Sequence, residues 1–346
     1  MQSKVKAKAQ VKRSKKQQLA RLLMSPFLEK LLSLRQQKHL TVLAYHSIRD
    51  IPDEYPFNPE IISAEPHEFR QQLAFIKKHF NVVSFAQLEQ MIAEKGTIKP
   101  NTLIITFDDG YVDNHSHMLP ILKEFDLPAI VYLATDFIDD KKLFWFDEVA
   151  FLFKKMPNQR VSFDDDGLIL DVKTPDRELE RRAFGQYLQQ VSDIKRLQLI
   201  QRLREITDCQ PTETEHQMVR PMTWDEIREL AQYKIEIGSH TKNHGFLDCM
   251  TAEEIKIQLQ ESKQRIEQEL QQEVRYFSYP NGNFHHDVVK AVDQIYAYSV
   301  SYDHAIAPVQ QVIDSPQLIP RVHVETDVDI NLFKAMLILP EIFVRG

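Results

Sequence analysis

With 346 residues and a mass of 40.6 kDa, the chain has room for one large domain or two modest ones, and 43% hydrophobic with 27% charged residues excludes a disordered, collagenous or coiled-coil protein. Two cysteines, Cys209 and Cys249, are too few for a disulfide framework and lack the spacing of a zinc knuckle or a redox pair. The formal charge of −7 is uneven: residues 1–40 hold eleven Lys or Arg against Glu29 alone, leaving an acidic remainder that does not suit nucleic acid.

The first 17 residues, rich in Lys and Gln without apolar periodicity, read as a disordered tail. From Gln18 to Arg35, leucines 19, 22, 23, 28, 31 and 32 recur at helical spacing among basic residues, interrupted by Pro26. This pattern suits an amphipathic helix on an anionic membrane, through residues 1–35, or a helix packed on its own domain or a partner. No apolar run approaches the roughly 18 residues of a membrane span and no signal-peptide core stands out, so the expected compartment is cytoplasmic, at most at the inner face of the membrane.

Beyond the tail, strand and helix signals alternate. Leu40–Tyr45, Thr102–Phe107, Ala129–Leu133, Ile235–Gly238, Val274–Tyr279, Ala297–Tyr302 and Leu318–Val324 read as strands. Pro66–His79, Phe85–Lys95, Asn114–Glu124, Thr223–Tyr233, Thr251–Gln271 and His286–Gln294 read as helices, several opening on Ser, Thr, Asp or Asn. Seven such units with near-continuous apolar strands predict a parallel α/β barrel. The predicted organisation is a tail and helix over 1–40, a barrel over 41–138 and 211–326, an insertion over 139–210, and a C-terminal helix over 327–346. The insertion holds Phe144, Trp145 and Phe146, an acidic turn at Asp164–Asp166 and a charged helical run from Arg177 to Ile206; it is mainly helical and too structured for a loop.

Glycine is scarce at 8 residues, and Gly110, Gly238, Gly245 and Gly282 lie at or just past strand ends, where ligands gather in parallel α/β folds. Asp108 and Asp109 leave the second strand before Gly110; adjacent carboxylates diverge, so one can hold a metal while the other moves a proton, or the pair is simply an Asp-Gly turn capping a helix. His240 and His244 follow the fourth strand at a spacing that, on a helical turn, would place both imidazoles on one cation. A third segment, Arg275-Tyr-Phe-Ser-Tyr-Pro-Asn-Gly282, is a strand running into a turn.

Taken together, TFDDGY, HTKNH and RYFSYPNG, with LAYHSI and SFAQLEQ upstream, resemble in order the motifs of the polysaccharide deacetylase family, also called carbohydrate esterase family 4 or the NodB-homology domain. The resemblance implies a distorted (β/α)7 barrel and removal of N-acetyl groups from an amino-sugar polysaccharide, glycan or precursor. It implies a divalent metal, most often zinc, on Asp109, His240 and His244, with Asp108 as catalytic base and Arg275 orienting it. The oxyanion would meet the backbone N–H of Tyr111. The fourth motif is reduced to Tyr302-Asp303-His304, and the fifth, which supplies the general acid, finds its nearest match at His323, whose ring Asp303 would hold protonated. His323 and Arg321, two apart on the last strand, should face the same way. His46, Tyr279, Pro280 and Asp303 are candidate pocket residues. His115 and His117 read as helix-surface residues, His285 and His286 as caps of the next helix, and Phe144, Trp145 and Phe146 as a sugar-stacking platform or an anchor for the insertion. Alternative readings are an O-acetyl esterase acting on glycans, and a non-catalytic glycan-binding or scaffold protein of envelope polysaccharide assembly.

Overall fold

The computed structural model describes residues 14–344 apart from 26–28, 31–33, 158, 164–167, 173–176 and 283. Seven parallel strands close on themselves: β1 His39–Tyr45, β2 Thr102–Phe107, β3 Ala129–Leu133, β4 Ile235–Ser239, β5 Tyr276–Ser278, β6 Tyr298–His304 and β7 Ile319–His323. Each pairs with its neighbours in sequence, and β1 pairs with both β2 and β7, so the predicted (β/α)7 barrel is present and its sheet has no open edge between β1 and β7. Short strands Asn81–Val82 and Ala307–Pro308 extend β2 and β1 at the rim.

Strand alternation divides the core in two. Val42, Ile104, Ile130, Tyr132, Tyr276, Val300 and Ile319 form one cluster with Phe85, Leu88 and Met91 of the helix Phe85–Lys95. The alternate residues Leu43, Ile105, Val131, Ile237, Phe277 and Val322 pack with the surrounding helices in the larger cluster. Gly238 shows how tight the first cluster is: a Cβ there would stand 2.4 Å from the Tyr132 ring and 2.9 Å from the Tyr276 carbonyl.

The helices start where their caps predict. Ser84, Thr223 and Thr251 each accept from the backbone N–H three residues on, closing capping boxes. The helix expected from Asn114 instead opens with a π-turn over Asn114–Met118 before the α-helix Leu119–Phe125.

The first helix spans Lys15–Leu23, so structure begins inside the expected tail, with Ser14 as its cap. It packs on its own domain: Ala20 and Met24 join the main core with the helix Ile330–Ile338, and Gln17 donates to the Asp327 carbonyl at 2.7 Å. Leu19 and Leu22 of its other face remain exposed, at 43% and 69%. The leucines at 28, 31 and 32 of the amphipathic pattern lie outside the described residues, as does the acidic turn at 164–166. No described helix is long and apolar enough to cross a membrane.

Between β3 and β4 the chain builds the helices Trp145–Lys155, Arg177–Leu188 and Asp193–Thr207 and an antiparallel hairpin, Gln159–Phe163 with Leu168–Val172. These carry a core of their own, in which Phe151, Phe153, Phe184, Leu199 and Leu203 meet Phe57, Tyr111 and Phe137 from the barrel loops. The insertion is thereby seated on one rim of the barrel, the rim where β2 and β4 end.

Candidate metal centre and active site

At the end of β2 the chain turns through two successive left-handed residues, Asp109 at φ 78° and Gly110 at φ 87°. Aspartate tolerates that conformation better than most residues, and glycine is required at 110 because a Cβ would lie 2.9 Å from Leu133. Asp108 and Asp109 are both 1% exposed. Across the rim, the His240 N–H donates to the Leu133 carbonyl at 2.9 Å, prolonging the β3–β4 pairing by one residue. The expected helical turn after β4 is a loop instead, with left-handed Thr241 and His244 at φ 67° and 56°. Gln258 holds it, its side-chain oxygen accepting from the N–H groups of Lys242 and Asn243 at 3.0 and 3.1 Å.

This loop brings the two imidazoles together by a route other than helical spacing. Their rings meet edge to face at 4.9 Å, and ligand atoms of Asp109, His240 and His244 all lie within 4.8 Å of one another. Asp109 Oδ1 stands 3.6 Å from His240 Nε2 and 3.4 Å from His244 Nε2. Neither Asp109 oxygen makes a hydrogen bond of good geometry, although both are buried. His240 Nδ1 lies 2.8 Å from the Ser278 carbonyl, which can only accept, so the proton is on Nδ1 and the Nε2 lone pair is free toward the carboxylate. Burial pushes His240 down to about 4, keeping the ring neutral. A buried carboxylate with two unpartnered oxygens facing a neutral imidazole's lone pair is an unsatisfied arrangement that a divalent cation completes, and one Asp with two His is a borderline, zinc-suited donor set. The residues present fit the implied metal.

Asp108 is held differently. Arg321 of β7, wholly buried, grips it with two parallel bonds, Nη1 to Oδ1 at 2.9 Å and Nη2 to Oδ2 at 2.7 Å, and also donates to Thr106 Oγ1 at 3.1 Å. Ser278 adds a bond to Oδ2 at 3.2 Å. Burial alone would raise the Asp108 pKa, but the Arg321 charge, with His240, holds it well below the usual carboxylate range.

Arg275 therefore does not orient the base. Its guanidinium lies at the opposite end of β5, on Glu89 at 2.9 Å, and Arg321 takes the place expected of it. Asp303 does not hold the His323 ring either: it is exposed and accepts from the Ser301 hydroxyl at 2.9 Å. His323 is buried against Tyr302 and His304, its Nε2 unpartnered, and burial followed by the Arg321 charge drives it down to about 3, so it is neutral where the sequence suggested a protonated acid. Tyr279 is buried between Phe277 and Phe284, and Pro280 is buried beside it. His46, half-buried at the end of β1, is close enough to act electrostatically on Asp108, Asp109 and His323. The Tyr111 backbone N–H finds no acceptor among the described residues, since its antiparallel bridge to Pro221 is bonded through Val112 and Gly110.

Outside the centre, His115 pairs with Glu229 at 2.8 Å, and His285 occupies an N-cap position without making a side-chain cap. Phe144 and Phe146 pack edge-on against His244 at 5.2 and 5.7 Å, and Phe144 stacks on Phe137 at 3.8 Å, so this aromatic run both anchors the insertion and walls the site.

One acid of the site's surroundings gave no sequence signal. Asp147, in the first turn of Trp145–Lys155, is 1% exposed and accepts from the Tyr111 hydroxyl at 2.6 Å and the Asn58 N–H at 3.3 Å. Burial raises it to about 7, with Asp109 reinforcing the shift while the Tyr111 and Asn58 bonds and Arg49 oppose it. Between about pH 4 and 7 the folded chain keeps a proton there that the unfolded chain releases, so this group's contribution to stability falls as pH rises through that window and levels off above it. Asp147→Asn is expected to unfold at higher temperature than the wild type at pH 8, with the gap closing toward pH 4. Parallel pH profiles in thermal unfolding would exclude this coupling.

Three comparisons bear on this rim. The family model described as Polysaccharide deacetylase matches residues 95–298. The poly-beta-1,6-N-acetyl-D-glucosamine N-deacetylase of Escherichia coli K12 is 25% identical over 112 residues, 31% of this chain and 16% of that protein, so the chain spans about a sixth of that relative's length. Among solved structures, the deacetylase PplD of Streptococcus pyogenes, in complex with acetate, superposes at a TM-score of 0.57 with 15% identity over 89% of this chain and 99% of that one. IcaB from Ammonifex degensii does so at 0.53 with 15% identity over 86% and 98%. These likenesses establish the fold, and with the family match spanning more than half of the sequence the chain belongs to the polysaccharide deacetylase family.

Proposed function

We propose that the chain is a metal-dependent hydrolase that removes N-acetyl groups from an amino-sugar glycan. The observation that carries this reading is the unsatisfied Asp109 carboxylate between His240 and His244, beside an ionised Asp108 that takes no part in that cluster. Asp109, His240 and His244 would hold the ion, with zinc the expected metal; when bound it supplies Lewis acidity to water and to the acyl oxygen.

Asp108, aligned by Arg321 and kept ionised, accepts the proton of the attacking water. The free Tyr111 N–H meets the negative charge that develops on the acyl oxygen. The leaving nitrogen must gain a proton, since an amine anion is a poor leaving group. Asp108, once it has taken the proton of the attacking water, can return it to that nitrogen. His323 remains placed to orient substrate or water through its unpartnered Nε2.

The test is metal analysis of the purified full chain together with acetate release from N-acetylated hexosamine oligomers and from O-acetylated glycans. About one divalent ion per chain is expected, with release from the N-acetylated oligomers that stops on chelation and returns with added zinc. Release confined to O-acetylated glycans would make the protein an esterase, and a metal-free chain that binds oligomers without releasing acetate would make it a binding protein.

A further inference from the structure

The helix Lys15–Leu23 turns one face to its own domain and leaves the other exposed. Ala20 and Met24 join the core beside the helix Ile330–Ile338, whereas Lys15, Leu19 and Leu22, at i, i+4 and i+7, share the opposite face. All three are exposed, and Lys16 and Arg21 are exposed on either flank of that stripe. Lys15, Lys16 and Arg21 make no ion pair among the described residues, whereas nearby Arg35 is paired with Glu341 and Lys334 with Glu29.

Charge and apolar surface together define what suits this face. Residues 1–13, directly ahead of the Ser14 cap, add Lys4, Lys6, Lys8, Lys12 and Arg13 with no acid, on a chain whose net charge is −7. An anionic surface therefore attracts this segment and repels the acidic body, which decides the side of the molecule that approaches. Charge alone would equally suit an acidic protein, but a bilayer interface also takes the two leucines. Their side chains enter the boundary between headgroups and acyl chains while the lysine and arginine stems reach back to the phosphates. A second copy of the chain is a poor occupant, because the same unpaired cations would face one another.

We propose that the outer face of the helix Lys15–Leu23 docks on an anionic lipid bilayer, lying in the plane of the interface. The helix begins at the functional rim. Gln17 bonds the Asp327 carbonyl just beyond β7, and His304, whose ring meets His323 at 5.7 Å, is held below its ordinary pKa by burial and then by the Lys16 charge. A chain docked through this helix thus keeps that rim close to the bilayer. The docking does not depend on the hydrolytic reading, since a binding protein would dock in the same way.

The test is flotation of the full chain with vesicles of phosphatidylcholine and phosphatidylglycerol in a roughly 3:1 ratio, compared with phosphatidylcholine alone. Binding to the mixed vesicles is expected to be at least about tenfold tighter and to weaken steeply as salt is raised. Leu19→Gln with Leu22→Gln, which adds no charge and keeps a good helix former, should weaken it at least about tenfold, and Lys15→Glu with Arg21→Glu should do the same. All four positions are exposed, so thermal unfolding and metal content are expected to stay at wild type. Equal binding to both kinds of vesicle, or binding to neither, would overturn the proposal. Undiminished binding in the leucine variant would also overturn it, assigning the attraction to the charges of residues 1–13 alone. A wild-type dimer in solution that the leucine variant converts to monomer would overturn it by giving the face to a second copy.

Discussion

His240→Ala and His244→Asn are each expected to lose the bound metal and acetate release together, activity falling to that of the chelated wild type. The two substitutions differ in structural cost. Removing the His240 ring frees the Ser278 carbonyl in a buried setting, a loss on the order of 1–3 kcal/mol. At 244 the backbone is left-handed, so asparagine, which adopts that conformation readily, isolates the loss of the ligand from backbone strain where alanine would not. Metal content by mass spectrometry, measured beside thermal unfolding, separates the effects. Full metal occupancy in both variants with activity retained would show that the cluster is a structural polar network.

The barrel was legible because its signals are local and repeated. All seven strands were placed within two residues at each end, since runs such as TLIITF are buried on both faces and read as continuous apolar segments. Asp109, His240 and His244 were found by position after strand ends, not by the helical geometry invoked for the histidines. Left-handed Thr241 and His244 build a loop that no periodicity reveals. The Arg275 expectation failed on position along the strand. Arg275 precedes the start of β5 and bonds Glu89, as Tyr276 also does, whereas Ser278 at the other end of the strand is the one that reaches Asp108. Arg321 and His323, two apart, share a face as expected, but a buried arginine in an apolar strand gives no sign of which acid it holds. Asp147 was unreadable for a related reason: an acid in the first turn of a helix is ordinarily a solvated N-terminal charge, and only the seating of the insertion buries it.

Arg321→Met is expected to destabilise the fold by about 3–5 kcal/mol, because it leaves the Asp108 carboxylate buried and uncompensated. Asp108→Asn should be costly for the reciprocal reason, stranding the guanidinium, and should lower the catalytic rate by about 10²- to 10⁴-fold through loss of the base while metal content is retained. Were each residue independently important for folding, the double variant would be the sum of the two. If the pair is the unit, the double variant removes both charges at once and is expected to recover much of the stability that either single change loses, as buried ion pairs often do when replaced together. Thermal unfolding of the four proteins in this cycle reads the coupling directly, and additivity would dissolve the pairing. Arg321→Lys separates charge from geometry. A lysine keeps the positive charge but cannot make the two parallel bonds that fix both carboxylate oxygens. Stability is therefore expected to fall less than in Arg321→Met, while kcat drops and KM and metal content stay near wild type, which marks Arg321 as the residue that positions the base. A drop in metal content or a rise in KM with kcat unchanged would instead place Arg321 in metal or substrate binding.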